Sequence, residues 1–268
     1  MKKTLLIIDP QVDFCMPGGA LFVNNADVDM QKLSNFIIEN AEQIESIIVS
    51  LDMHMLEDIA HSIYWIDSEG KHPEPFTNIT FNDVKSGIWK TKNPIMQSHV
   101  LYYLEQLESG GNFVHTIWPN HCIAGTQGSN IFPTLLVAIK NWMEVSKKPF
   151  ITYIKGMNPT SEQFGIFQEE VQTSDIEGDF NHNLFKQIFK YNQEVLVAGQ
   201  AKSHCVATSL KQIYEMFPNT IKNITLLTDT TSNVTGCEHI ADKIYEDLRT
   251  AGMKELTTSE IFKNQTTI

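Results

Sequence analysis

Three side chains of complementary chemistry each follow an apolar run of strand length: the carboxylate of Asp9, the amine of Lys155 and the thiol of Cys205. The runs cover residues 4–8, 150–154 and 195–199. A carboxylate beside a thiol can remove its proton as a general base, and an ammonium lowers the thiol pKa. Each residue alone is more often a solvated strand end. Together they predict a nucleophilic site, because the carboxyl ends of parallel strands share one edge of a sheet.

The stretch around Cys205 is typical of a strand, a turn and a helix. Its apolar run ends at Gly199, small polar residues follow, and a helical pattern starts at Cys205 and continues to Phe217. Free N–H groups at a helix N-terminus favour negative charge, so they lower a thiol pKa and can receive an oxyanion. A buried cysteine that packs as a small hydrophobe is the alternative that this stretch alone leaves open.

A second group of polar side chains has the composition of a metal site. Asp52 and His54 follow the apolar run 46–51, and extended backbone points residues two apart in the same direction. His121 follows a tight turn, and His61 lies within reach of the Asp52 loop. Two imidazoles and a carboxylate suit Zn²⁺ or Fe²⁺ and leave coordination positions open. An isolated Asp-x-His also occurs without any metal, so both interpretations stand at this point.

Two aromatic residues lie beside these groups in the sequence. Phe14 follows Asp9 by five residues, and Trp118 precedes His121 by three. Two aromatic walls would suit a flat heteroaromatic substrate. Ordinary core packing is an equally good explanation of both residues from the sequence alone.

The elements that must position these residues alternate between strand and helix, which predicts an α/β fold of three αβα layers with a doubly wound, mostly parallel sheet. Strands are predicted at 4–8, 46–51, 150–154, 195–199, 224–228 and 253–256, and helices at 29–44, 97–107, 131–145, 183–190, 205–217 and 238–251. Between Met55 and Gly111 the alternation lapses. Because the apolar residues there are dispersed, we expect residues 1–268 to form a single domain with an elaborated connection at 55–111.

Composition narrows the function classes. The formal net charge is −12 and Arg249 is the single arginine of the chain, which argues against nucleic acid and anionic membranes as partners. No apolar run reaches membrane-spanning length, and the first run is too short for a signal peptide. The four cysteines form no Cys-x-x-Cys pair, so reduced thiols and a cytoplasmic location are expected.

Five ordered segments resemble motifs of the nicotinamidase and isochorismatase-like cysteine hydrolases. They are DPQVDF at 9–14, SLDMH at 50–54, WPNHC at 118–122, KG at 155–156 and VAGQAKSHCV at 197–206. The resemblance covers nearly the whole chain and implies the isochorismatase-like hydrolase fold. The long connection at 55–111 is similar to that of the enlarged nicotinamidases.

The resemblance also implies a role for each matched position. It implies a triad of Asp9 as base, Lys155 as electrostatic partner and Cys205 as nucleophile. It implies an oxyanion site at the amides of Ala201 and Cys205, with a cis peptide at Gln200-Ala201. Its metal ligands are Asp52, His54 and His121, with His61 as a further candidate, and its substrate-stacking residues are Phe14 and Trp118. Met53, Met55, Ser203 and His204 depart from the family's pattern beside the pocket.

The expected function is a metal-assisted amidohydrolase that cleaves a small planar carboxamide through a thioester on Cys205. Nicotinamide, hydrolysed to nicotinate and ammonia, is the preferred substrate, which would connect the chain to NAD metabolism. Other small amides and isochorismatase-type ether hydrolysis are alternatives, although Cys205 argues against the latter. A catalytically silent binding protein is a further alternative, and so is a redox-sensing thiol paired with Cys122 or Cys237. A homo-oligomer is left open.

Overall fold

A computed structural model describes residues 2–110, 113–172, 180–190 and 194–262. The strands are β1 (Lys3–Ile8), β2 (Ile44–Asp52), β3 (Trp65–Ile66), β4 (Lys90–Thr91), β5 (Ile151–Lys155), β6 (Val195–Gly199), β7 (Ile224–Leu227) and β8 (Lys254–Leu256). The helices are α1 (Val12–Cys15), α2 (Ala26–Glu39), α3 (Phe81–Lys85), α4 (Gln97–Gly110), α5 (Pro133–Ser146), α6 (His182–Ile188), α7 (Ala207–Met216) and α8 (Asp242–Thr250). A π-helical turn, Lys202–Val206, precedes α7.

Six strands form one parallel sheet in the order β5-β2-β1-β6-β7-β8. The predicted α/β fold with a parallel sheet between helices is therefore confirmed. The register of neighbouring strands aligns their carboxyl ends, because Asp52 is opposite Lys155 and Ile8 is opposite Gly199. The residues that follow these four strands thus start from neighbouring positions at one edge of the sheet.

Alternate residues of β1 face opposite sides of the sheet, as period-two geometry requires. Leu5 and Ile7 pack in the core shared with α2 and α5, whereas Leu6 and Ile8 pack in the core shared with α7 and α8. Both faces are therefore covered, which explains why β1 is a continuous apolar run rather than an alternating one.

The segment between β2 and α5 has an apolar cluster of its own. Trp65, Tyr103 and Ile117 are fully buried in it, together with side chains from α4 and the β3-β4 ribbon. Their spacing in the sequence gave no sign of this convergence. A single domain over 1–268 stays a prediction.

Several helix ends differ from their predictions: α8 begins at Asp242 rather than at 238, and the largest difference is at the end of α2. The helical pattern suggested a helix to Ile44, but α2 ends at Glu39, Asn40 caps it, and Ile44 already starts β2. Asn is a common helix terminator because its short polar side chain bonds to nearby backbone, and Asn40 Nδ2 donates to the Phe36 carbonyl at 2.8 Å. None of the helices in the described part of the chain is long and apolar enough to cross a bilayer.

Candidate active site

The ends of β1, β5 and β6 bring Asp9, Lys155 and Cys205 together. Lys155 Nζ lies 3.2 Å from Asp9 Oδ2 and 3.8 Å from Cys205 Sγ. Asp9 is 0% exposed, Lys155 2% and Cys205 6%. An acid, an amine and a thiol thus lie side by side and buried at the carboxyl edge of the sheet.

Ser50 fixes the Asp9 carboxylate from the neighbouring strand. The Ser50 hydroxyl donates to Asp9 Oδ1 at 2.6 Å, and the Asp9 amide donates to Ser50 Oγ at 3.1 Å. Asp9 adopts a left-handed backbone conformation with φ of 47° as the chain leaves β1. Burial raises the pKa of Asp9, and the Lys155 ammonium opposes that effect. A carboxylate with a raised pKa is better suited to accept a proton.

Lys155 is held at four points. Besides Asp9 and Cys205, its Nζ donates to Asp52 Oδ1 at 2.9 Å and to the Gln163 carbonyl at 2.8 Å. Burial lowers the pKa of Lys155, but the carboxylates of Asp52 and Asp9 outweigh burial and raise it well above its usual range. The side chain is therefore a fixed cation.

The environment of Cys205 balances opposing effects on its thiol. Burial raises the pKa of Cys205, Lys155 lowers it, and the negative charge of Asp9 raises it again. The net effect is a Cys205 pKa well above its usual range, so the thiol needs an adjacent base to become a nucleophile.

Cys205 lies within the π-helical turn rather than at the first position of α7. The turn starts at Lys202, three residues before the predicted helix start, and the Val206 amide donates to the Ala201 carbonyl at 3.2 Å. The peptide bond between Gln200 and Ala201 is cis, as the resemblance implies. Gly199 has φ of 114° and no room for a Cβ against the Ile8 carbonyl, so only glycine fits there.

A second cluster lies on the other side of Lys155. One ligand atom from each of Asp52, His54 and His121 lies within 4.8 Å of the others, and all three residues are buried. Asp52 Oδ2 is 3.1 Å from His54 Nε2 and 3.6 Å from His121 Nε2. Burial raises the pKa of Asp52, but His54 and Lys155 outweigh it and lower that pKa well below its usual range.

Outer residues orient both imidazoles of this cluster. His54 Nδ1 lies 3.1 Å from Asp58 Oδ2, and His121 Nδ1 donates to the Pro119 carbonyl at 2.8 Å. These contacts leave the Nε2 atoms directed at Asp52. The His121 contact is the hydrogen bond that metal-binding histidines usually make through their second ring nitrogen, and Asp58 lies at ion-pair distance from the corresponding atom of His54.

His61 completes the polar group around Asp52. Its ring centroid is 5.0 Å from that of His54 and 5.4 Å from that of His121. Both of its ring nitrogens are buried without a hydrogen-bond partner among the described residues. Burial and the neighbouring imidazoles lower the pKa of His61 to about 2, so the ring is neutral with a free lone pair. The donor set of one carboxylate and two or three imidazoles therefore fits a zinc or iron ion.

A cavity opens onto Cys205 and reaches Asp52 and His121. With its mouth included, the cavity encloses about 400 Å³. Phe14 and Trp118 both line it, and their role as walls for a substrate stays a prediction. Five further lining residues were not predicted: Leu21, Val23, Glu162, Phe164 and Val234.

Relatives of known function share this architecture. A nicotinamidase from Saccharomyces cerevisiae is 22% identical over 249 residues, which is 92% of this chain and 95% of that protein. A solved structure of the yeast nicotinamidase Pnc1p superimposes with a TM-score of 0.64 at 21% identity over 95% of this chain and 99% of that one. The fold is that of the isochorismatase-like nicotinamidases. The resemblance found in the sequence is thereby confirmed.

Two further solved structures have the same fold. A nicotinamidase and pyrazinamidase from Acinetobacter baumannii has a TM-score of 0.65 at 19% identity, and the match covers 97% of this chain and 98% of that one. A pyrazinamidase from Pyrococcus horikoshii in complex with zinc has a TM-score of 0.52 at 18% identity over 96% and 99% of the two chains. No family model matches the chain.

Several residues that shape the site were given no role from the sequence. Gln11 binds the Asp52 backbone twice: its Nε2 donates to the Asp52 carbonyl at 2.5 Å, and its Oε1 accepts from the Asp52 amide at 2.7 Å. Burial raises the pKa of Glu162 to about 7 in the cavity wall. His204, which the sequence marked only as a departure from the family's pattern beside the pocket, also lines the cavity. The position of Gln11 two residues after Asp9 was the available clue.

Proposed function

We propose that the chain is a metal-assisted cysteine amidohydrolase that hydrolyses a small planar carboxamide, with nicotinamide as the preferred substrate. The observation that carries this proposal is the position of Cys205 Sγ, 3.8 Å from Lys155 Nζ and beside Asp9, on the wall of a cavity with aromatic sides. The yeast relative is named a nicotinamidase, and two fold neighbours are named as nicotinamidase or pyrazinamidase.

The first half of the reaction forms a thioester. Asp9 accepts the thiol proton as Cys205 Sγ attacks the amide carbonyl carbon, so a C–S bond forms and the oxygen becomes an oxyanion. The amides of Ala201 and Cys205 stabilise that oxyanion. When the intermediate collapses, the C–N bond breaks, Asp9 returns the proton to nitrogen, and ammonia leaves.

The second half hydrolyses the thioester. Asp9 removes a proton from water as the water oxygen attacks the same carbonyl carbon, and the C–S bond then breaks. The sulfur recovers a proton from Asp9, and the carboxylic acid product departs. Lys155 remains an ammonium throughout, so a fixed positive charge faces both the carboxylate and the developing thiolate.

In this proposal, the aromatic side chains of the cavity and the metal cluster select the substrate. Phe14 and Trp118 hold a flat ring between them. Asp52, His54 and His121, with His61 as fourth candidate, would hold a zinc or iron ion, which supplies a Lewis-acid position for a ring heteroatom. All four cysteines are free, which favours a reducing compartment such as the cytoplasm.

Ammonia release from nicotinamide by the purified protein tests the proposal. The wild type and a Cys237→Ser control should release ammonia, and Cys205→Ala should lose at least about 10³-fold in rate because the nucleophile is gone. A panel of other small amides would rank the substrates. If the wild type releases ammonia from none of them, or Cys205→Ala retains the rate, the proposal fails.

The metal assignment has its own test. Metal content after dialysis should fall to background in His54→Ala and stay at the wild-type level in His239→Ala, whose side chain is 91% exposed. Equal metal content in the wild type and in His54→Ala would refute the ligand set.

A further inference from the structure

The side chain of Gln200 is bound at both ends although it lies next to the candidate oxyanion residue. Gln200 is fully buried, and its Nε2 donates to Asp29 Oδ2 at 2.9 Å. Its Oε1 accepts from the Ser232 amide at 3.1 Å. The Ser232 hydroxyl donates to the same Asp29 oxygen at 2.6 Å. These contacts form a closed network of three residues from three separate segments.

The backbone bonds on both sides of Ala201 lead into the same network. The Gln200 amide donates to the Ile8 carbonyl at 2.8 Å, which joins it to the end of β1. The Lys202 amide donates to the Ser232 carbonyl, also at 2.8 Å. Ala201 therefore lies between Gln200 and Lys202, which both hydrogen-bond to Ser232. Ser232 in turn hydrogen-bonds to Asp29.

Asp29 is a buried carboxylate, which is unusual for a purely structural contact. It lies on α2 and is 5% exposed, and the groups that hydrogen-bond its carboxylate are the neutral side chains of Gln200 and Ser232. No lysine, arginine or histidine of the described residues forms an ion pair with it, and Lys32, three residues further along α2, acts on the carboxylate only at longer range. A buried carboxylate without a paired cation costs stability. Its hydrogen bonds are stronger than those of a neutral acceptor, so it defines the geometry of its donors more firmly.

We propose that Asp29 is a positioning residue for the oxyanion site. Through Gln200 and Ser232 it fixes the segment 200–202, so that the Ala201 amide points at the oxygen of the reacting carbonyl. This inference rests on the proposed function, because it assigns a purpose to a network that adjoins the nucleophile turn. Asp29 touches neither substrate nor reacting atoms. A misplaced oxyanion donor weakens binding of the tetrahedral state and leaves binding of the planar substrate nearly unchanged.

Kinetics of ammonia release from nicotinamide provide the first readout. Asp29→Ala should lower kcat about 10-fold or more with KM within about 2-fold, since small displacements at a reacting centre have large effects on rate. Asp29→Asn should stay within about 3-fold of the wild type, because the asparagine oxygen can still accept from Gln200 and Ser232. Asp27→Ala, in the same helical turn but outside this network, is the matched control.

The affinity for pyridine-3-carbaldehyde provides a second readout. Its aldehyde carbon forms a C–S bond with Cys205, the thiol proton is transferred to the aldehyde oxygen, and the adduct is tetrahedral at the position where the amide reacts. Asp29→Ala should weaken inhibition by this aldehyde by the same factor as it lowers kcat. A merely structural role would shift KM or thermal stability without this parallel.

The kinetic results distinguish a failure of the positioning role of Asp29 from a failure of the proposed function. The positioning role would be overturned if Asp29→Ala matched Asp27→Ala in kcat and in aldehyde affinity. It would also be overturned if Asp29→Ala raised KM and left kcat unchanged. If Asp29→Ala does not fold, Ser232→Ala replaces it: a loss of about 3-fold in kcat supports the role, and an unchanged kcat overturns it. A wild type that releases no ammonia would instead refute the proposed function.

Discussion

Lys155 and Asp52 form a buried ion pair, 2.9 Å from Nζ to Oδ1, that joins the two halves of the candidate site. The other oxygen of Asp52 faces His54 and His121, whereas the same ammonium also faces Asp9 and Cys205. The pair arises from strand register, because Asp52 and Lys155 are opposite each other on β2 and β5. A change at either residue should therefore affect both the metal cluster and the nucleophile.

Lys155→Met should remove activity and reduce stability together. Without the ammonium, two buried carboxylates lose their counter-ion, which costs about 3 kcal/mol or more of unfolding free energy. The Cys205 pKa rises further, since Lys155 is the group that lowers it, so ammonia release should fall at least about 10³-fold. Lys140→Met, on the exposed face of α5, is the control for both urea unfolding and activity. Wild-type ammonia release by Lys155→Met would contradict the assigned role.

Much of the fold and the centre of the site could be predicted because they depend on local patterns. Uninterrupted apolar runs identify buried parallel strands, and a parallel sheet brings the ends of those strands to one edge. Asp9, Asp52 and Lys155 were found for that reason. The helix start at Cys205 was misplaced, because the Lys202–Val206 turn depends on a backbone bond to Ala201 and on no periodic pattern.

Residues contributed by irregular chain could not be found in this way. Asp58, Glu162 and Phe164 lie in stretches without helical or strand periodicity, and they reach the site through loop conformations that long-range contacts determine. The role of Asp29 could not be predicted from the sequence either, although Asp29 lies in a helix. Its position indicates only that it is near the start of α2, and its partners Gln200 and Ser232 are 171 and 203 residues away in sequence.

Asp58→Asn should weaken metal binding while the three ligands remain. Asp58 Oδ2 lies 3.1 Å from His54 Nδ1, and its Oδ1 accepts from the Ala60 amide at 2.9 Å, so it orients the ligand imidazole. Loss of such a partner commonly lowers metal affinity about 10- to 100-fold. Competition with a zinc chelator measures this affinity. Glu57→Gln removes the same charge from the exposed neighbouring residue and serves as the control. Equal affinity in both variants would show that Asp58 does not support the site.

Trp118 should contribute to substrate affinity through its ring. Trp118→Ala should raise KM for nicotinamide about 10-fold with a smaller change in kcat, because stacking is nearly equal in the ground and transition states. Trp118→Phe should keep KM within about 3-fold, since a flat wall remains. Trp89→Ala, outside the cavity lining, is the control. Steady-state ammonia release measures all four proteins, and an unchanged KM in Trp118→Ala would exclude the ring as a substrate wall.

The stability of the fold should decrease at mildly acidic pH, in part because of His115. Its imidazole is buried against Trp65 and Tyr103, with Nε2 3.1 Å from the Ile59 carbonyl, and burial lowers its pKa from 6.5 to about 4. Between these values the unfolded chain binds a proton that the folded chain does not. The contribution of neutral His115 is therefore complete above pH 6.5 and is lost as the pH falls toward 4.

Between pH 7 and pH 5 this residue should account for about 2 kcal/mol of lost unfolding free energy. His115→Gln keeps a side chain that can donate to the Ile59 carbonyl but does not titrate, so its pH dependence should be smaller than that of the wild type by this amount. His204, whose pKa burial also lowers to about 4, contributes equally in both proteins and cancels in the difference. Urea unfolding at the two pH values measures the effect, with His239→Gln as the exposed control. Identical slopes for His115→Gln and the wild type would mean that His115 is not buried in its neutral form.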